Sequence, residues 1–148
     1  MMATTLRILL ALLGVCAILI ALSILLLGAG ITAHGAEVAY NALVGNHYPL
    51  TGAWPATMDS ELRFYAPFWG VYGLLLLDAA RDLPRRLDRV PLLAGVFFAG
   101  GIGRALSLAT VGAPHPAFTL LMAIELILPA VFVVLWHALT RQSQPVKQ

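Results

Sequence analysis

Apolar residues in this chain come in long blocks, not at a helical or strand period, and most polar positions fall between the blocks. Runs this long, near the roughly 20 residues needed to cross a hydrocarbon core of about 30 Å, predict membrane-spanning helices. The first, Ile8 to Ile31, carries no charge over about 24 residues, roughly 36 Å of helix. The second begins near Asp59 to Glu61 and passes through LRFYAPFWGVYGLLLL to Asp78, where RDLPRRLDR interrupts it. The third runs from Val90 to Val111 and stops at GAPHP, whose glycine and prolines predict a tight turn. The fourth runs from Ala117 to Leu139, before the polar tail RQSQPVKQ. The pattern predicts an all-α, four-transmembrane-helix bundle forming one membrane domain over 1–148, with spans near 8–31, 60–78, 90–111 and 117–139.

Composition agrees. The chain is 60% hydrophobic and 11% charged, against the roughly 25% charged of soluble domains, and its mean hydropathy is +0.88. A net charge of +2 gives no reason to expect a nucleic-acid partner. Cys16 is the only cysteine and reads as a small packing residue, so no internal disulfide or multi-cysteine zinc site is available. The first block exceeds the roughly 7–15-residue apolar core of a signal peptide and is expected to remain as a span.

Charge placement orients the spans. Arg81, Arg85, Arg86 and Arg89 lie between the second and third, Arg141 and Lys147 in the tail, and Arg7 before the first; segments 32–58 and 112–116 hold no Lys or Arg. Because basic residues are retained on the cytoplasmic side, both termini are expected there, in a multi-pass protein of the plasma (inner) membrane. The arginine-rich loop reads chiefly as a topology determinant, each residue also attracting anionic lipid by roughly 1 kcal/mol. In the first outer loop, HGAEVAYNALVG has Val38, Ala39, Ala42 and Leu43 on one helical face and His34, Glu37 and Asn41 on another. It predicts a short interfacial helix over the bundle, followed by Tyr48 and Trp54 at headgroup level.

The candidate chemistry lies in charges inside the spans. Arg104 falls about 10 Å and Glu125 about 12 Å below the outer surface by helical rise. Adjacent helices joined by the GAPHP turn should therefore pair them, because an unpaired mid-span charge costs about 2.5–3.5 kcal/mol. The second span offers Glu61 as a competing partner for Arg104, and also Arg63, with Tyr65, Phe68 or Trp69, and Tyr72 descending below Glu61. Pro67 and Pro129 each lie four residues after a charged residue and free the carbonyls of Arg63 and Glu125, either enriching a polar site or merely kinking the helices. Gly95, Ala99, Gly103 and Ser107 form a small-residue stripe read as helix packing, and GGIGR lacks the strand and third glycine of a dinucleotide loop. His115, between two prolines, reads as a rim residue of the pocket. His34, Glu37, His47 and His115 show no diagnostic ligand spacing, so neither a metal nor a cofactor is expected.

Three stretches, DSELRFYAPFWGVYG, GGIGRALSLATVGAPHP and ELILP, resemble an uncharacterised bacterial family of small four-helix membrane proteins catalogued as a domain of unknown function. The resemblance covers the last three spans and implies the bundle, with Glu61, Arg63, Arg104 and Glu125 in recurring motifs; it implies no reaction. The leading functional expectation is an outward-facing intrabundle pocket for a lipid-like or small amphipathic ligand, lined by Glu61, Arg63, Tyr65, Arg104, Ser107, His115 and Glu125, or an accessory protein. One alternative is an enzyme acting on an isoprenoid or sterol-like lipid, with Glu61 or Glu125 as acid or base. Proton-coupled transport through Glu125 draws less support, for want of an internal repeat. The last is a structural protein whose ion pair fixes helix register. Membrane lipid is the expected surrounding partner, and a homo-oligomer is compatible with every reading.

Overall fold

The computed structural model describes residues 1–142; Lys147 and the end of the tail lie outside the described residues. Within them the chain is helical: α1 (Met2–Leu27), α2 (Ala29–Val44), α3 (Ala56–Arg81), the single turn α4 (Leu83–Arg86) with a 3-10 turn at Leu87–Arg89, α5 (Val90–Thr110) and α6 (Pro116–Gln142). Three segments, Met2–Leu27, Leu83–Thr110 and Pro116–Gln142, are long and apolar enough to cross a membrane. The expected four reduce to three on this measure, because α3 carries charge near both ends. Only 14 residues separate Arg63 from Asp78, about 21 Å of helix.

The helices associate as two antiparallel pairs, α1 along α3 and α5 along α6, with fewer contacts between the pairs. Glycine sets the closeness of the first. A Cβ on Gly73 would lie 2.7 Å from the Gly14 carbonyl oxygen, and one on Gly14 would lie 2.9 Å from that of Gly73, so the two backbones touch. In the second pair Gly101 has this role, its absent Cβ falling 2.9 Å from Leu126 and 3.0 Å from Glu125 Cβ. In the Gly95, Ala99, Gly103 and Ser107 stripe, read above as packing, all four residues are exposed, and a Cβ on Gly95 or Gly103 would meet nothing within 4 Å. At about 100° per residue Gly101 stands nearly opposite Ala99 and Gly103, so the α5–α6 contact selects one glycine and leaves those two bare. Cys16 is exposed rather than packed.

Core composition differs between the two ends. At the end carrying the inter-span arginines, Leu6, Leu10, Tyr72, Leu76, Val90, Leu93, Phe97 and Phe132 form a buried cluster. Trp69, Tyr72 and Phe97 stack there at centroid distances of 5.1–6.5 Å, and the Tyr72 hydroxyl donates to the Leu93 carbonyl at 2.9 Å. Beyond it Asp78 holds Arg86 at 3.1 Å and Arg89 at 2.9 Å, tying the α4 turn back to α3. Toward the opposite end the buried positions are Ala21, Ala29, Ala33, Ala66, Gly101 and Ala117, together with the carboxylates Glu37 and Glu125. Small side chains and acids fill little volume and leave room for a cavity.

The first apolar block breaks earlier than its hydropathy suggests. Gly28, at φ 97° and ψ 159°, ends α1 and begins α2, so the span read as 8–31 stops at Leu27. Asp59 and Arg63 of α3 hold this break together. The Asp59 carboxylate accepts the Ala29 N–H at 2.8 Å, capping α2, while Arg63 donates to the freed Leu25 carbonyl at 2.6 Å and to Asp59 at 2.7 Å. Thr32 donates to the Gly28 carbonyl and pairs with Ser23 across the break, both at 2.8 Å. Bonds from Arg63 and from the Ala29 N–H hold the Asp59 carboxyl below the usual carboxylate range. A depressed folded-state pKa makes this contribution fully present above the ordinary value and lost only as pH falls through the lower one.

Helix α2 covers the stretch where a short helix was expected and begins earlier, at Ala29. Val38 and Leu43 are exposed, whereas Glu37 has 0% of its surface accessible. The polar face turns inward because segment 45–55 folds back onto it and supplies partners.

Candidate functional site

Two polar centres lie at the end remote from the arginine loop. The first is built from α2 and the segment that follows it. The Glu37 carboxylate accepts the Thr51 N–H at 3.0 Å and the Thr51 hydroxyl, His34 Nε2 bonds the Thr51 carbonyl, and Asn41 donates to the Tyr48 carbonyl at 2.9 Å. A carboxylate removed from solvent needs such donors, since an unsatisfied one costs several times what a bond returns. Thr51→Val keeps the shape and removes one donor. It is expected to lower stability by about 1.5–3 kcal/mol, read in thermal unfolding, and to speed proteolytic cleavage within 45–55.

The second centre is on the facing surfaces of α5 and α6. Arg104 Nε lies 3.0 and 2.8 Å from the two Glu125 oxygens. The Arg104 side chain is 40% exposed and that of Glu125 only 9%. Gly101, one turn before Arg104, lets the Glu125 backbone approach α5 closely enough for the pair to form. The guanidinium also lies 5.8 Å from the Phe118 ring centroid, within cation–π range.

Beside this pair opens a cavity of about 310 Å³, lined on the polar side by Arg104, Ser107, His115, Thr119, Thr51 and Trp54, and by apolar groups that include Leu108, Phe118 and Met122. Thr51 and Trp54 form one wall, so the Glu37–Thr51 bonds also hold part of that wall in place. His115 is fixed by edge contacts to Tyr40 and Tyr48 at 5.8 and 5.9 Å, and its Nδ1 accepts the Ala117 N–H at 3.2 Å. In the neutral ring that bond puts the proton on Nε2. His115 Nε2 and Trp54 Nε1 are both buried without a hydrogen-bond partner.

Among the residues proposed from sequence, the structure thus brings together Arg104, Ser107, His115 and Glu125. Arg63 is engaged at the α1–α2 break, and Glu61 and Tyr65 are exposed on α3. The descending aromatic face divides: Tyr65 and Phe68 point outward, Tyr72 is buried in the stack and Trp69 is partly buried in it. Sequence reasoning missed the burial of Glu37 and the participation of Thr51 and Trp54. Trp54 was placed only at headgroup level, and no periodic signal marks the segment that carries it. Among the described residues no three His, Cys, Asp or Glu side chains converge as a metal site.

The family described as "Domain of unknown function (DUF4345)" matches residues 5–136. No curated protein and no solved structure matches the chain.

Proposed function

We propose, on the premise that the chain belongs to the DUF4345 family and that this description assigns no activity, that the protein is a small multi-pass protein of the bacterial inner membrane binding an amphipathic, lipid-like ligand. In this reading α3 crosses beside α1, giving four crossing helices, with the termini and the arginine loop cytoplasmic and α2 covering the outer end. The touching backbones at Gly14 and Gly73 support a shared crossing. The pairing of Asp59 with Arg63 near one end of α3, and of Asp78 with Arg86 and Arg89 near the other, supports it too.

The observation that carries the binding reading is the cavity itself, in which the half-exposed Arg104 guanidinium stands beside apolar walls at the end whose core is made of small residues. Ligand sites combine a largely apolar lining with a few convergent polar groups. Acid–base catalysis draws less support, because Glu61 is exposed and both Glu125 oxygens face Arg104 Nε.

The test is co-purification and thermal stabilisation with a panel of single-chain amphiphiles. Wild-type protein is expected to be stabilised by at least one, and Ser107→Trp, which projects into the cavity from an exposed helix position, is expected to lose that stabilisation while retaining its own unfolding transition. Equal stabilisation of both proteins would overturn the reading.

A further inference from the structure

Helix α2 is amphipathic inside out. Its polar residues, Thr32, His34, Glu37, Tyr40 and Asn41, are all buried or half-buried, and its exposed positions hold only glycine, alanine or larger apolar side chains. Ile31, Val38 and Leu43 are 61%, 54% and 79% accessible. A helix at a water-facing surface turns its polar face to the solvent. One resting on headgroups also carries Lys and Arg on that face, and α2 has neither.

The polar face is spent on the chain itself. His34, Glu37 and Asn41 satisfy the Tyr48 carbonyl and the N–H, carbonyl and hydroxyl of Thr51, and Thr32 bonds the Gly28 carbonyl and Ser23. Irregular backbone beside lipid requires such partners, because acyl chains offer none. What α2 leaves for its surroundings is an uncharged apolar face, and an exposed face of this kind marks contact with something apolar.

Depth and continuity identify what meets it. Arg7 and Gly28 are separated by about 31 Å of helix, the thickness of a hydrocarbon core, so α2 starts at the boundary of a membrane that α1 crosses. Toward its other end Tyr40 contacts His115, in the turn where α5 and α6 meet, at 5.8 Å. The helix therefore runs along the boundary instead of rising from it. Leu26 and Leu27 are exposed at the end of α1, and Ile31 is the next exposed residue in the chain, since Gly28, Ala29 and Gly30 are buried or half-buried. The apolar surface of the crossing helix thus carries onto α2 with no exposed polar residue between.

Resting on the reading of α1 as a membrane crossing, we propose that α2 is seated in the leaflet at the end remote from the arginine loop, with Ile31, Val38 and Leu43 against lipid acyl chains. Its polar face stays turned to segment 45–55. Lipid is then the partner of the very helix from which the Thr51 and Trp54 wall of the cavity is hung.

Val38→Cys and Leu43→Cys, each in a Cys16→Ala background, are labelled with a small fluorophore on the full-length protein in nanodiscs. Both positions are exposed, so the label displaces no packing. Quenching is read with phospholipid bearing a nitroxide on its acyl chain and, separately, with aqueous iodide. A label on native Cys16, exposed near the middle of α1, supplies the lipid reference. Arg85→Cys in the Cys16→Ala background supplies the aqueous one, the Arg85 side chain being 84% exposed. Labels at positions 38 and 43 are expected to lose fluorescence to the nitroxide lipid as the Cys16 label does, and to keep it in iodide. Iodide quenching equal to that at position 85 would overturn the lipid seat and leave the crossing of α1 standing. Protection from both quenchers, which assigns the face to a protein such as a second copy, would overturn it as well. Iodide quenching of the Cys16 label would remove the crossing itself, and the lipid seat with it.

Discussion

Replacing Arg104 by leucine alone is expected to destabilise the protein by about 3 kcal/mol, because the Glu125 carboxylate then stays enclosed without its counter-charge. The side chain of Glu125 is 9% exposed and its two oxygens are bonded by one guanidinium nitrogen. Removing both charges changes the sign of the argument. Arg104→Leu with Glu125→Leu leaves nothing ionic to solvate and should recover more than half of the loss, since buried pairs seldom outperform apolar replacements. A double-mutant cycle by reversible denaturation in mixed micelles measures this coupling. Additivity of the two single substitutions would show that the pair contributes little.

The second large effect is expected at Gly28. Its φ of 97° with ψ 159° belongs to a region that only glycine occupies comfortably. A Cβ there would also stand 2.7 Å from Arg63 Nη2 and 3.0 Å from Asp59 Oδ1. Gly28→Ala should cost about 2–3 kcal/mol from the backbone alone, with the contact to Arg63 adding to it. Ala29→Gly, one residue on and without the positive φ, should cost closer to 1 kcal/mol. Comparable losses at both positions would mean that the break is not held in the geometry described.

These two sites also mark what the amino-acid order conveyed and what it withheld. Arg104 and Glu125 were legible as partners because helical rise and one short turn fix their relative depth, leaving no freedom for side-chain detail to matter. The break at Gly28 was hidden because LLLGAGIT is apolar on both sides, and hydropathy averages over a single residue's dihedral angles. Arg63 was misassigned to the central site for a related reason. Its side chain is claimed by a carbonyl 38 positions away, which becomes available only once the α1–α2 break exists. Glu37 was visible as part of a polar face, but which way that face turns depends on Thr51, in a segment without periodicity. The bareness of Gly95 and Gly103 has the same origin, since several glycines on one helix offer alternative packing faces and only the partner helix selects among them.

The unequal filling of the two ends has a consequence for motion. Residues at the arginine end release large apolar areas to solvent or lipid only if the helices separate, so their amides should exchange hydrogen solely through global unfolding. The alanine-lined end loses little apolar area on loosening and is held mostly by discrete polar bonds, which break one at a time. Amides of 45–55 and of α2 should therefore exchange through small openings, orders of magnitude faster, while the stacked rings of Trp69, Tyr72 and Phe97 stay closed. On the proposed binding reading, a guest molecule enters and leaves on that faster clock without the bundle ever coming apart.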